Sequence, residues 1–255
     1  MIAGPLIAIV ALASVALLAL PGSGSLDLHR YADNRQWLGI PNAGDVLSNL
    51  PFVLIAAWAL WRQRTNQSAG ALPLTVFFVS VLMVGLGSAY YHWSPTDRTL
   101  AWDRLPMAIA FMALLTAFAA DYFGADLARR WLWPLAAIGA ASVVVWRASG
   151  LIWPYALVQL APIVVAVGLC AIPRPPSAMF SRSTLLSILV LYGLAKVSEE
   201  ADVALWTAFG QNISGHTLKH LAAAGAALLV AHGQSRRALI AVDRQDFQPL
   251  KQDLG

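Results

Sequence analysis

Five side chains in this sequence have the types and spacing of a hydrolytic metal site. Ser88 and His92 lie four residues apart at the end of one apolar stretch, and Asp103 stands at the mouth of the next. His216 and His220 form a second pair four apart near the C-terminus. On a helix such pairs point the same way, one turn apart. His216 and His220 can take two positions of one tetrahedral zinc and His92 the third, leaving the fourth to water as catalytic zinc sites do. Zinc lowers the pKa of that water to about 7. A carboxylate within hydrogen-bond reach can take the proton and later return it to a leaving amine, and Asp103 is the candidate. Ser88, one turn below His92, can hold the water or stabilise a developing oxyanion.

The elements that must position these groups are apolar helices. Hydrophobic residues make up 58% of the chain and charged residues 12%, about half the charge of a soluble domain. The apolar blocks are long enough for the roughly 20 helical residues that cross a hydrocarbon core. Helices are expected, because an open sheet would leave unpaired backbone groups in lipid. The fold class is therefore all-α: a polytopic membrane protein with a seven-helix transmembrane bundle and one additional N-terminal hydrophobic helix. Core spans are expected at 45–61, 72–91, 102–122, 131–146, 153–172, 184–204 and 215–232. The division is an N-terminal helix or signal anchor over 1–22, the bundle over 26–233 and a polar cytoplasmic tail over 234–255.

Loop charges set the expected orientation. Arg62, Arg64, Arg129, Arg130, Arg174 and Arg182 fall on one side with the basic residues of the tail, which is read as cytoplasmic. His92, Asp103 and the start of the His216 helix then share the opposite face, at one depth. The net charge of +4 is read as cytoplasmic anchoring arginines rather than a nucleic-acid partner, because no dense basic run with interleaved aromatics occurs. The one cysteine, Cys170, can form no internal disulfide.

Each group also has an ordinary reading. Asp103 can cap its helix or pair with Arg98 or Arg104, and Ser88 can be a small-residue packing contact. Independent causes would not gather all five at one depth. Lys196 and Glu200 are spaced as a structural ion pair, with Glu199 or Glu200 binding a substrate amine as the alternative. Tyr155 can donate to an oxyanion or serve as an interfacial anchor, and Trp93, Trp102 and Trp206 read as belt residues.

The pattern S-x3-H leaving one helix, D-x-L-P-M entering the next and H-x3-H in the last resembles the alkaline ceramidase family, of the bacterial alkaline phytoceramidase kind. That family sits within a wider group of seven-helix membrane hydrolases that includes adiponectin-receptor-like proteins. Ser48-Asn49-Leu50-Pro51-Phe52 resembles its first core helix. The resemblance runs from about Leu26 to His232. It implies zinc on His92, His216 and His220, and cleavage of the amide bond of an N-acyl sphingoid lipid held within the bilayer. The expected location is a multi-pass one in a bacterial inner membrane, with the metal site placed toward the non-cytoplasmic face by the loop charges. Two departures stand out. Asn42 replaces the glutamate of the family's calcium-binding stretch, and Asp33 and Asp45 are too few for the six to eight oxygens calcium takes, so calcium is not assigned. Arg104 stands where the family often has an acidic residue. Both lie near the substrate mouth and leave the headgroup open. The rival expectations are a hydrolase of another lipid amide or an ester, and a seven-helix sensor whose structural zinc takes a fourth ligand, with His29 the spare histidine near that face.

Overall fold

The computed structural model describes residues 29–64 and 71–246, with side chains as far as residue 233. The N-terminal apolar block and the end of the tail lie outside the described residues. Those described form helices α1 (Ala43–Leu47), α2 (Leu50–Gln63), α3 (Ala71–Trp93), α4 (Asp97–Phe123), α5 (Ala125–Ser149), α6 (Trp153–Cys170), α7 (Arg182–Glu200), α8 (Asp202–Ala208) and α9 (Gly215–Asp246). No strand forms among them. Five segments, with α1 and α2 taken together as Ala43–Gln63, are long and apolar enough to cross a membrane. Helices α7 and α9 are as long, but they carry Lys196, Glu199, His216, Lys219 and His220. The protein is thus an all-α polytopic membrane protein.

Two expected spans are broken. The first divides at Ser48 and Asn49, between α1 and α2, and the sixth divides at Ala201, between α7 and α8. Both breaks lie at the same end of the bundle, and each turns a polar residue toward its middle. Pro51 in the first turn of α2 needs no backbone donor there. Helix α4 begins with a capping box in which Thr96 and Thr99 satisfy each other's backbone N–H groups. This fixes the turn from which Asp103 projects.

Helix α4 packs against α3, α5 and α6, while α9 lies along α7 and returns to α2, closing the bundle. The core nearer the other end is aromatic and aliphatic, with Phe78, Phe118, Phe180 and Leu185 fully buried. Helices α3 and α4 approach most closely beside the candidate residues. Pro106 cannot donate to the carbonyl of Trp102 one turn earlier, and a Cβ placed on Gly87 would come within 2.3 Å of that oxygen. Glycine is what lets the helices meet there. A similar approach occurs at Gly215, where a Cβ would meet Ser198 O at 2.1 Å.

Gly87→Ala is expected to lower stability by about 1–3 kcal/mol, the usual cost of overpacking, because a backbone oxygen cannot rotate out of the way. Gly193→Ala, at a helical position with nothing within 4 Å, should leave the protein unchanged or slightly more stable. Thermal unfolding of both variants in one detergent checks the contrast. Equal midpoints would refute the close approach.

Candidate metal centre and active site

His92 leaves the last turn of α3, and His216 and His220 leave the first two turns of α9. Their ring centroids are 4.7, 5.0 and 4.8 Å apart pairwise, and one ligand atom from each falls within 4.8 Å of the others. All three rings are buried, at 1%, 5% and 4% exposure. The Nε2 atoms of His92 and His216 face each other at 3.2 Å.

Three imidazoles at this distance do not hold one another, so their surroundings must. Ser48 Oγ donates to the carbonyl of Asp45 at 3.1 Å. Its oxygen is then free to accept from His220 Nδ1 at 2.7 Å. That arrangement puts the His220 proton on Nδ1 and turns the Nε2 lone pair inward, as a partner in the outer shell of a metal ligand does. Asn42 sits in the left-handed region (φ 46°), which asparagine tolerates, and its Nδ2 donates to His92 O at 2.7 Å. The start of α9 is fixed by two carboxylates. Asp202 accepts from His216 N at 2.8 Å, and Asp45 accepts from Ser214 Oγ and Thr217 Oγ1 at 2.9 and 2.8 Å. Tyr31 packs edge-on against His92 and His216, with centroids 4.7 and 4.5 Å away, and its hydroxyl donates to Tyr91 at 2.6 Å.

The donor set fits a metal ion. The rings share no carboxylate, they are shielded from water, and His92 Nδ1 is buried without a protein partner. Among the described residues no fourth histidine, cysteine or carboxylate joins the group. His29, the spare ligand of the sensor reading, instead contacts Tyr91 Oη at 3.0 Å and Asp97 at 3.2 Å.

Asp103 is buried beside the triad. The Ser88 hydroxyl lies near its carboxylate, while Asp103 Oδ1 has no hydrogen-bond partner. Both line up on the face where α3 and α4 meet. Asp103, His216, Tyr155, Glu199 and Lys219 all border a polar cavity of about 350 Å³. Tyr155 is buried there and accepts from Gln159 Nε2 at 2.9 Å. Glu199 faces the same cavity, but Glu200 is exposed and does not line it. The ion pair expected between Lys196 and Glu200 forms between Lys196 and Glu199. The cause is Lys219, which meets the same carboxylate from α9 at 2.7 Å, so Glu199 is clasped from both sides. Lys219 also reaches His216 Nε2 at 3.2 Å.

The two carboxylates in the place of the family's calcium stretch are occupied differently. Burial pushes the Asp33 carboxyl up, but the Arg35 guanidinium outweighs it and holds the group below the usual carboxylate range. Arg35 binds Asp33 through two nitrogens at 2.9 and 3.0 Å. It also donates to Asn212 O at 2.8 Å and lies 4.5 Å from the ring of Trp206. Trp206, expected as a belt residue only, therefore anchors the segment that carries Tyr31.

Sequence reasoning did not assign roles to Ser48, Tyr31, Asp45, Asp202 or Lys219. Ser48 lay inside the quoted Ser-Asn-Leu-Pro motif, and Lys219 lay between the paired histidines, so a signal existed for both. Asp202 and Tyr31 had none, because their partners are distant in the chain. Ser48→Ala is expected to weaken metal affinity about 10–100-fold, the usual effect of losing such a partner, with the fold intact. Competition with a calibrated chelator measures it, and unchanged affinity would remove Ser48 from the site.

A search of curated proteins found none that matches the chain. The family model described as Ceramidase matches residues 42–231, a stretch that contains Ser48, Ser88, His92, Asp103, His216 and His220. The buried triad and this match over most of the chain lead to one conclusion: the protein belongs to the ceramidase family.

Proposed function

We propose that the protein is a zinc-dependent membrane hydrolase that cleaves the amide bond of ceramide-like N-acyl lipids to a free fatty acid and a sphingoid-type amine. The observation that carries this reading is the meeting of three imidazoles from α3 and α9 beside an unpartnered carboxylate oxygen of Asp103. His92, His216 and His220 would hold the ion. Three neutral imidazoles suit zinc. When bound, zinc polarises the carbonyl and supplies a water acidic enough to attack near neutral pH.

The remaining work falls to the chain. Asp103 takes the proton from the attacking water and gives it to the departing nitrogen. Ser88 orients that carboxylate and can donate toward the carbonyl oxygen as charge builds on it. Tyr155 is a second candidate donor from the far wall, and Glu199 a candidate contact for the amine. Burial of these groups strengthens each interaction relative to water.

The substrate's shape fits the cavities. Below the polar cavity lies an apolar one, and Met107, Gln159, Lys196, Glu199 and Lys219 border both. The apolar cavity continues past Ala223 and Ala227 to Val230 and Phe118. From Lys219 to Val230 the helix rises roughly 16 Å, room for a long acyl chain. The arginines at the other ends of the helices favour a site on the non-cytoplasmic face.

His216→Ala or His220→Ala should lose bound metal and turnover together. Asp103→Asn should keep the metal and lose about 10²–10⁴ in rate. Metal content and released fatty acid, measured on one detergent-purified sample, test both. Protein without zinc, or Asp103→Asn working at full rate, would refute the mechanism. A panel of labelled N-acyl sphingoid amides, other N-acyl amides and esters tests the bond. Fatty acid is expected from sphingoid amides first, and an inert ceramide beside a cleaved ester would overturn that choice.

A further inference from the structure

Arg104 follows Asp103 in the chain and lines the same polar cavity, yet the reaction above does not use it. Its guanidinium is held in place by two buried rings, 4.1 Å from the centre of Trp146 and 5.2 Å from that of Tyr155. Stacking of this kind fixes the plane of the group and leaves its N–H donors to work at the edge. One of them, on Nη1, is buried without a hydrogen-bond partner. Buried donors nearly always have partners, and leaving a charged one without any is costly.

The carboxylates around the cavity are committed elsewhere. Glu199 lies between Lys196 and Lys219, so one negative charge serves two lysines. Asp202 accepts from the backbone N–H groups of Ala32 and His216 at 2.9 and 2.8 Å. Asp103 lies within electrostatic reach of both Lys219 and Arg104 and near Ser88, yet among the described residues no carboxylate forms an ion pair with Arg104. The cavity wall carries one more cationic than acidic side chain, with Arg30, Arg104, Lys196 and Lys219 against Asp103, Glu199 and Asp202, and a donor fork waits on it. A neutral headgroup could accept from the donor but would not answer the charge as well. A phosphate, sulfonate or carboxylate would do both in a bidentate, charge-assisted way. Because this cavity adjoins the apolar one, with Met107 and Gln159 bordering both, the anion belongs on an amphiphile.

We infer that the lipid recognised here carries an anionic group on its headgroup, bound by Arg104 at the edge of the polar cavity. This rests on the amide-hydrolase reading for what happens to the lipid, but its test does not. Binding of hexadecyl phosphate, hexadecanol and inorganic phosphate to the full chain in neutral detergent is measured by titration calorimetry, without turnover. Hexadecyl phosphate is expected to bind at least about tenfold more tightly than hexadecanol or inorganic phosphate. Arg104→Gln should erase that preference while still binding hexadecanol, which reports an intact fold. Arg104→Lys should keep part of the preference, since charge survives and the fork does not. Equal affinity for the two amphiphiles overturns the inference, as does a preference that either variant leaves whole. Inorganic phosphate binding as tightly as hexadecyl phosphate also overturns it, by pointing to a site for the free anion. A protein that shows the preference but cleaves no amide would sink the hydrolase reading alone, and cleavage without the preference would sink this one alone.

Discussion

Three neutral imidazoles pressed together in a dry interior have no attraction of their own strong enough to keep them there. Their convergence must be imposed from outside, and much of the polar structure at this end of the bundle does that. Ser48 turns His220, Asn42 grips the carbonyl of His92, and Asp202 holds the backbone of His216. Asp45 fixes the turn that begins α9 through Ser214 and Thr217. These partners come from two distant parts of the chain, residues 42–48 and Asp202. The site is thus held by contacts that also tie α9 to α1 and α2.

The distribution of ionisable groups follows from the same constraint. Burying charge in a membrane protein is costly unless the charge is paired or used. Here the cost is confined to one end, where Lys196, Lys219 and Glu199 pair among themselves and Asp33 is clasped by Arg35. The other half of the bundle is packed with phenylalanine, leucine and alanine. The result is a molecule polar at one end and apolar along its length, the same polarity as a lipid lying parallel to its helices. An amide bond is the junction between those two parts of an N-acyl lipid, and His216 of the triad borders the polar cavity, which adjoins the apolar one.

Breaks in the helices matter as much as the helices. At the join of α1 and α2, Ser48 keeps helical backbone, and its hydroxyl bridges the carbonyl of Asp45 and an imidazole of α9. The break at Ala201 likewise brings Asp202 to the N-terminus of α9, where a carboxylate meets free N–H groups and the positive end of the helix dipole. Arg35, reaching Asp33, Asn212 and Trp206 at once, pins the segment whose Tyr31 covers two of the histidines.

What could be read from the chain alone was local in its physics. Apolar length marked the membrane spans, and the positions of His92, Asp103 and His216 within them fixed a common depth. Helical periodicity put Ser88 with His92 and His216 with His220 on shared faces. The pairing of Lys196 with Glu199 rather than Glu200 could not be read that way, because spacings of three and four are both favourable and Lys219 on another helix made the choice. Nor could the parts played by Ser48, Asp202 and Tyr31. Ser48 and His220 are 172 residues apart, and Ala32 and Asp202 are 170 apart. Depth and facing are properties of one helix at a time, whereas partnership across a bundle depends on how every helix is placed around its neighbours, and only the folded chain decides that.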